Sequence, residues 1–154
     1  MGTEIERKYL VRDGRYRDLG EGTLIRQGYL SSDPERVVRV RAMGRRAFLT
    51  VKGVAAGATR IEFEYEIPLE DGLRLLDLCG RRLIEKTRYR VAAPDGLVWE
   101  VDEFHGANEG LTVAECELAT EDQRVTKPTW VGEEVTGDPR YFNSNLAARP
   151  FTTW

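Results

Sequence analysis

Glu4-Ile5-Glu6-Arg7-Lys8 sets two carboxylates and an ammonium at alternate positions near the start of the chain. In a strand alternate side chains share a face, so Glu4, Glu6 and Lys8 stand in a row about 7 Å apart, from a rise of ~3.3 Å per residue. Ile5, Arg7 and Tyr9 point the other way. A charged edge strand would look the same, but the device recurs down the chain. Arg39 with Arg41, Lys52, Arg60, Glu62 with Glu64, Lys86 with Arg88, Glu100 with Asp102 and Glu115 with Glu117 follow in order. Like charges set side by side cost energy unless something binds between them. Carboxylate pairs suit a divalent cation with oxygen ligands. Arginine and lysine pairs suit a polyanion. A cavity holding both would take a metal-bound polyphosphate.

The elements that carry these residues are mostly strands. Residues 3–11, 23–30, 37–41, 47–52, 60–67, 82–92, 97–104 and 112–118 read as eight strands, several with strict alternation. Ser31-Ser32-Asp33-Pro34, Gly44-Arg45-Arg46 and Pro94-Asp95-Gly96 mark turns. After Pro68, leucines at 69, 73 and 76 recur at helical spacing, with Glu70 and Asp71 in the first turn and Gly80 as a stop. This predicts an amphipathic helix over 69–79. A short helix over 143–148, capped by Asn143 or Ser144, is expected in a less regular tail. Many strands with short connections imply antiparallel pairing, and closure into a barrel removes exposed edges.

Composition narrows the class. The chain has 154 residues, 41% hydrophobic and 32% charged, which predicts one domain, 1–154, with its own core. A formal net charge of -3 disfavours a nucleic-acid binder, and none is expected as partner. No apolar run approaches the ~20 residues of a membrane span and no signal-peptide pattern is present, so the cytoplasm is the expected location, without membrane contact. Cys79, Cys116 and the lone His105 make no zinc spacing and no catalytic triad, and His105 reads as a turn residue. There is no Walker A loop and no dinucleotide glycine fingerprint.

Apolar residues such as Ile5, Val38, Val40, Ile61, Phe63, Val101 and Cys116 occupy the opposite strand faces and must be covered. Two architectures satisfy this. One is a barrel with an apolar interior and a charged exterior. The other is inverted, with the charges lining the lumen and helices and loops over an apolar exterior.

The ordered set Glu4-x-Glu6-x-Lys8, Arg39-x-Arg41, Lys52, Glu62-x-Glu64, Lys86-x-Arg88, Glu100-x-Asp102 and Glu115-x-Glu117 resembles the CYTH domain, the triphosphate tunnel metalloenzymes. Glu4–Val11, Ile25–Leu30 and Glu85–Tyr89 look most like the short bacterial inorganic triphosphatases. The resemblance implies a mainly β fold: an eight-stranded antiparallel closed barrel, or tunnel, with a charged interior and a few flanking helices. It also implies Mg²⁺ or Mn²⁺ dependence and a small-molecule triphosphate as substrate. On this reading Lys8, Arg39, Arg41, Lys52, Lys86, Arg88 and Arg60 meet the triphosphate. Glu4, Glu6, Glu64, Asp102, Glu115 and Glu117 are the metal candidates. Lys8, Glu6 and Lys52 sit nearest the chemistry, and Glu62, Glu100 and Tyr29 line the tunnel. The resemblance extends to class IV adenylate cyclases, so cyclisation of ATP is the first alternative, and a non-catalytic polyphosphate-binding domain is the second. A monomer or a homodimer is expected.

Overall fold

The computed structural model describes residues 2–154. Nine strands form one antiparallel sheet: β1 (Thr3–Val11), β2 (Gly22–Ser31), β3 (Val37–Met43), β4 (Arg46–Lys52), β5 (Thr59–Ile67), β6 (Leu83–Ala92), β7 (Val98–Phe104), β8 (Thr112–Glu117) and β9 (Val131–Glu134). Their order is β5-β4-β3-β2-β6-β7-β8-β1-β9, and β5 also pairs with β1. That last pairing, Thr3 to Ile61 through Ile5 to Thr59, closes eight strands into a barrel. The expected strands are all present, with ends displaced by a residue or two. β9 was not expected. It is four residues long, contains Gly132 and follows no alternation. It adds to β1 beyond the stretch that meets β5, with Tyr9 opposite Glu134.

Alternation sorts the side chains into an inner and an outer set, and three apolar clusters follow. Tyr9, Trp99, Val101, Ala114 and Cys116 face outward and are covered by Tyr16, from a short 3-10 turn, and by Trp130 and Val131. A second outer cluster joins Val40 to Leu76 and Cys79 at α1 (Leu69–Leu78). The third lies within the barrel. Val37, Ile84, Phe104 and Val113 share phase with the lumen charges of their strands, and Tyr29 shares phase with Gln27. They pack against Val135, Tyr141 and Leu146, the last in α2 (Asn143–Ala148). The lumen is therefore charged in one part and apolar in another, and the C-terminal segment plugs the apolar part.

The helix α1 begins after Pro68 and ends at Cys79, with Gly80 at φ +62° reversing the chain. It lies over β2, β3 and β4. Close approach there needs glycine: a Cβ on Gly72 would sit 2.4 Å from the Ala47 Cβ. In a free helix Gly→Ala gains ~1 kcal/mol. Here Gly72→Ala is expected to lower stability by a net ~1–3 kcal/mol through overpacking, measurable as a lower melting temperature.

The exterior is less completely covered than the sequence predicts. Ile61, Phe63 and Tyr65 remain about half exposed, because α1 lies over β2, β3 and β4 and meets β5 near Ile67, at its far end. The N-cap of α2 is Phe142 rather than Asn143 or Ser144, and no side chain caps it. The Asn143 amide is turned into the barrel instead. No helix among the described residues is long and apolar enough to cross a membrane.

Candidate active site

A cavity of about 330 Å³ occupies the charged part of the lumen. It is lined by Glu4, Glu6, Lys8, Tyr29, Arg39, Arg41, Lys52, Arg60, Glu62, Glu64, Lys86, Arg88, Glu100, Glu115 and Glu117. These come from β1 to β8, each placed by the alternation of its own strand, so the inverted architecture is the one adopted. Arg60 lines the cavity but spends its Nε on the Gly53 carbonyl at 2.7 Å, which fits a tether of the neighbouring loop as well as a ligand contact.

Asp102 is the one candidate that does not line it. It is 1% exposed and held by Lys86 Nζ at 2.7 Å and by Arg88 Nε and Nη2 at 2.8 and 2.9 Å. Burial works against its charge, but Arg88 and Lys86 outweigh burial and hold its carboxyl below the usual range. The expected metal ligand is therefore the counter-ion of two lumen cations. The alternation put it on the right face, but only the packing shows its oxygens already engaged.

The cations differ in what holds them. Lys52 is clamped between Glu4 and Glu62, 3.1 Å from each. Arg88 meets Asp102 closely, Glu100 at 3.5 Å and Glu115 at 3.9 Å. Arg39 donates to Thr50 Oγ1 at 3.1 Å and reaches Glu64 at 3.5 Å. Its Nε is buried without a hydrogen-bond partner among the described residues. Lys8 Nζ donates to the Tyr141 carbonyl at 3.0 Å, and Arg41 Nε to Gln27 Oε1 at 3.0 Å. Neither has a carboxylate within salt-bridge distance among the described residues. Burial, then the neighbouring charges of Arg39 and Arg88, lowers the Arg41 guanidinium to about 9. A buried donor without a partner and a cation without a counter-ion both call for an anion.

The acids are paired with one another. Glu6 and Glu115 share a hydrogen bond between their carboxyl groups. Burial, then Glu115 and Glu4, pushes Glu6 well above the usual carboxylate range. Glu115 goes the other way: burial opposes its charge, but Lys8, the Glu6 carboxyl and Arg88 hold it well below that range. The two carboxyls titrate as a pair, in which protonation is favoured at Glu6 and charge at Glu115. Glu4 is pushed up to about 7, by burial first, against the pull of Lys52 and with help from Glu62. Glu117 is raised by burial, Glu62 and Glu100.

These pairs fit an oxygen-seeking divalent cation. No group of three carboxylate, imidazole or thiol side chains is placed to hold a metal among the described residues. Two carboxylates facing a cavity suit an ion that completes its coordination with substrate phosphates, as magnesium commonly does. A cation there would displace the shared proton.

The raised acids set a pH dependence. A carboxyl whose folded pKa lies above its unfolded value stabilises the fold at low pH, and that contribution is lost as pH rises toward the folded pKa. For Glu4 the window runs from 4.5 to about 7. With a chelator present, stability is expected to fall between pH 5 and pH 7 by on the order of 2 kcal/mol from Glu4 alone. Above pH 7 the trend should ease, because Lys86, lowered to about 7 chiefly by burial with Arg88 and Arg41 adding, favours folding as pH rises further. Chelated melts at several pH values, repeated with divalent metal, check this; metal should flatten the decline.

Sequence reasoning missed Gln27, Thr50, Thr136, Phe142, Asn143 and Ser144. All but Gln27 and Thr50 line the cavity, and those two hydrogen-bond to residues that do. Gln27 and Thr50 stand in phase with lumen residues of their strands, a signal that was legible. The others lie in the tail, where no strand period existed to place them. Phe48 also lines the cavity, in phase with Thr50 and Lys52.

Comparison with known proteins gives one consistent result. The family model described as "CYTH domain" matches residues 2–151. An inorganic triphosphatase of Acetivibrio thermocellus is 49% identical over 152 residues, covering 98% of this chain and 97% of that protein. An inorganic triphosphatase of Nitrosomonas europaea is 39% identical over 148 residues, covering 94% and 97%. A crystal structure described as that of an inorganic triphosphatase superposes with a TM-score of 0.66 at 38% identity, covering 96% of this chain and 95% of the other.

Proposed function

The chain belongs to the CYTH domain family, and we propose that it is a divalent-metal-dependent hydrolase of inorganic triphosphate, with nucleoside triphosphates as poorer substrates. The observation that carries this reading is a single lumen in which the Glu6–Glu115 carboxyl pair faces cations still lacking partners, Arg39 through its Nε and Arg41 through its charge.

Phosphoryl transfer needs placement and charge neutralisation more than covalent chemistry. Arg39, Arg41, Lys86 and Arg88 hold the phosphate oxygens, and Lys8 and Lys52 lie by the reacting group. Glu4, Glu6, Glu64, Glu115 and Glu117 hold the metal, for which magnesium or manganese is proposed on their all-oxygen donors. When bound, the metal neutralises phosphate charge and polarises the terminal phosphoryl group. Water attacks the terminal phosphorus in line. The bond to the leaving pyrophosphate breaks as the new P–O bond forms, and a lumen carboxylate not engaged by the metal takes the proton of the attacking water. Glu62, Glu100 and Tyr29 complete the wall, and Arg60 is assigned to either the substrate or the Gly53 loop.

Product analysis tests the reading. Inorganic triphosphate with Mg²⁺ or Mn²⁺ should yield orthophosphate and pyrophosphate; cyclic AMP from ATP would identify a cyclase, and binding without turnover a non-catalytic domain. Trp99 and Trp130 are buried in the outer core, and Trp154 packs on Tyr141 and Phe151. No tryptophan among the described residues lines the charged cavity. Phe48 is the feature that favours the cyclase, but Arg46 already stacks on its ring at 5.1 Å. Inorganic triphosphate is expected to exceed ATP by at least ~10-fold in kcat/KM, about 1.4 kcal/mol of transition-state stabilisation. An equal or reversed preference would point to a nucleoside pocket at Phe48.

We further propose that residues 1–154 act as one domain, monomeric or homodimeric, in the cytoplasm, where the free thiols of Cys79 and Cys116 would persist. The proposed partner is the small-molecule substrate, with no nucleic acid.

A further inference from the structure

Gln27 and Asn143 are neutral amides set among the cations of the lumen. Gln27 is fully buried. Its Oε1 accepts from Arg41 Nε at 3.0 Å. Its Nε2 donates to the Tyr29 hydroxyl at 2.9 Å and to Asn143 Oδ1 at 3.2 Å. Asn143 Oδ1 also accepts from Lys86 Nζ at 2.9 Å. The direction of every bond is forced. A guanidinium and an ammonium can only donate, so each end of the chain must present an oxygen. Gln27 then has only its NH₂ left to meet Asn143, whose oxygen serves both neighbours.

The choice of amide has an electrostatic consequence. Lys52, Lys86 and Arg88 each lie within 3.1 Å of a carboxylate oxygen. Arg41 is fixed in place by a neutral oxygen instead, and no carboxylate among the described residues lies within salt-bridge distance of it. A glutamate at position 27 would hold the guanidinium equally well but would neutralise it.

We propose that Gln27 and Asn143 form an uncharged amide bridge, from the barrel wall to the C-terminal plug, that positions Arg41 and Lys86 for the triphosphate without neutralising Arg41. The proposal rests on the triphosphate reading of the same lumen. Both amides are positioning residues, acting through the cations they hold.

Gln27→Met keeps bulk but removes all three side-chain hydrogen bonds, to Arg41, Tyr29 and Asn143. It is expected to raise KM for inorganic triphosphate ~10-fold or more, with kcat changed less than ~3-fold, because an interaction common to ground and transition state is lost. Calorimetric binding of inorganic triphosphate without divalent metal should weaken by the same factor. Gln27→Glu should weaken binding further, and Asn143→Ala should act in the same direction. Adding Arg41→Ala to Gln27→Met should cost less than ~3-fold beyond Arg41→Ala alone, since the two act as a unit. Should Gln27→Met not fold, Gln27→Glu and Asn143→Ala carry the same measurements. Folded variants with unchanged KM and binding, or losses that add fully with Arg41→Ala, overturn the bridge. A wild-type chain that binds triphosphate without hydrolysing it sinks the hydrolase reading, while weakened binding in the variants still upholds the bridge.

Discussion

Glu6→Gln and Glu115→Gln are expected to abolish divalent-dependent turnover alike and yet to part company in the metal-free protein. Each removes one carboxylate of the pair proposed to receive the metal, and loss of several kcal/mol of charge stabilisation corresponds to ~10³-fold or more in rate. Their electrostatic positions in the empty lumen are opposite. Burial, then Glu115 and Glu4, disfavours charge on Glu6, so a neutral amide replaces a group whose ionisation the fold opposes. The chelated Glu6→Gln protein should keep or raise its melting temperature. Glu115 carries the charge, stabilised by Lys8, the Glu6 carboxyl and Arg88. Its loss leaves those cations with less compensation, and a cost of ~1–3 kcal/mol follows. For a chain of this size that is a fall of ~2–4 °C per kcal/mol. Equal melting shifts for the two variants would show that the proton does not favour Glu6 as the geometry implies. Full activity in either would remove the pair from the metal site.

The largest expected effect on stability is at Asp102. The Lys86–Asp102 pair is 2.7 Å long, with both side chains 1% exposed. Removing one partner strands a buried charge, which costs ~3–5 kcal/mol. Asp102→Ala should therefore melt on the order of 10 °C below the wild type, with or without divalent metal. The activity lost would follow from misplaced Lys86 and Arg88 and would appear mainly in KM. A metal ligand behaves differently: its loss would shift the metal dependence of turnover and remove stabilisation that divalent metal otherwise confers. Chelated and metal-loaded melts of the one variant separate the two roles.

Most of this site could be read from residue order, and the reason lies in strand geometry. A period of two is rigid, so Glu4, Glu6 and Lys8 share a face wherever β1 lies. The same rule fixed Arg39 with Arg41 and Glu115 with Glu117. Alternation could not say which face turned inward, since an apolar lumen satisfies it equally well; the resemblance to the CYTH domain selected the charged one. Nor could it distinguish Asp102 from Glu100, two residues away on the same face. Depth along the barrel axis decides that, and depth depends on strand tilt and on what fills the far end. Asp102 sits with Arg88 opposite and Phe104 one step deeper, where Lys86 crosses to meet it.

The tail shows the limit most clearly. Residues 119–154 carry no sustained period, so no face could be assigned to them in advance. Tertiary structure pairs Val131–Glu134 with the outer half of β1, seats Leu146 in the apolar end of the lumen and turns Asn143 toward Gln27 and Lys86. The sequence by itself determined which residues share a strand face and therefore that acids and bases would stand in rows; backbone pleating allows nothing else. Tertiary structure decided which cations keep a free charge. That depends on whether the nearest oxygen belongs to a carboxylate, as for Lys52 and Lys86, or to a neutral amide, as for Arg41, and such contacts cross from one strand to another, 14 to 48 positions apart along the chain, so they exist only once the strands have paired.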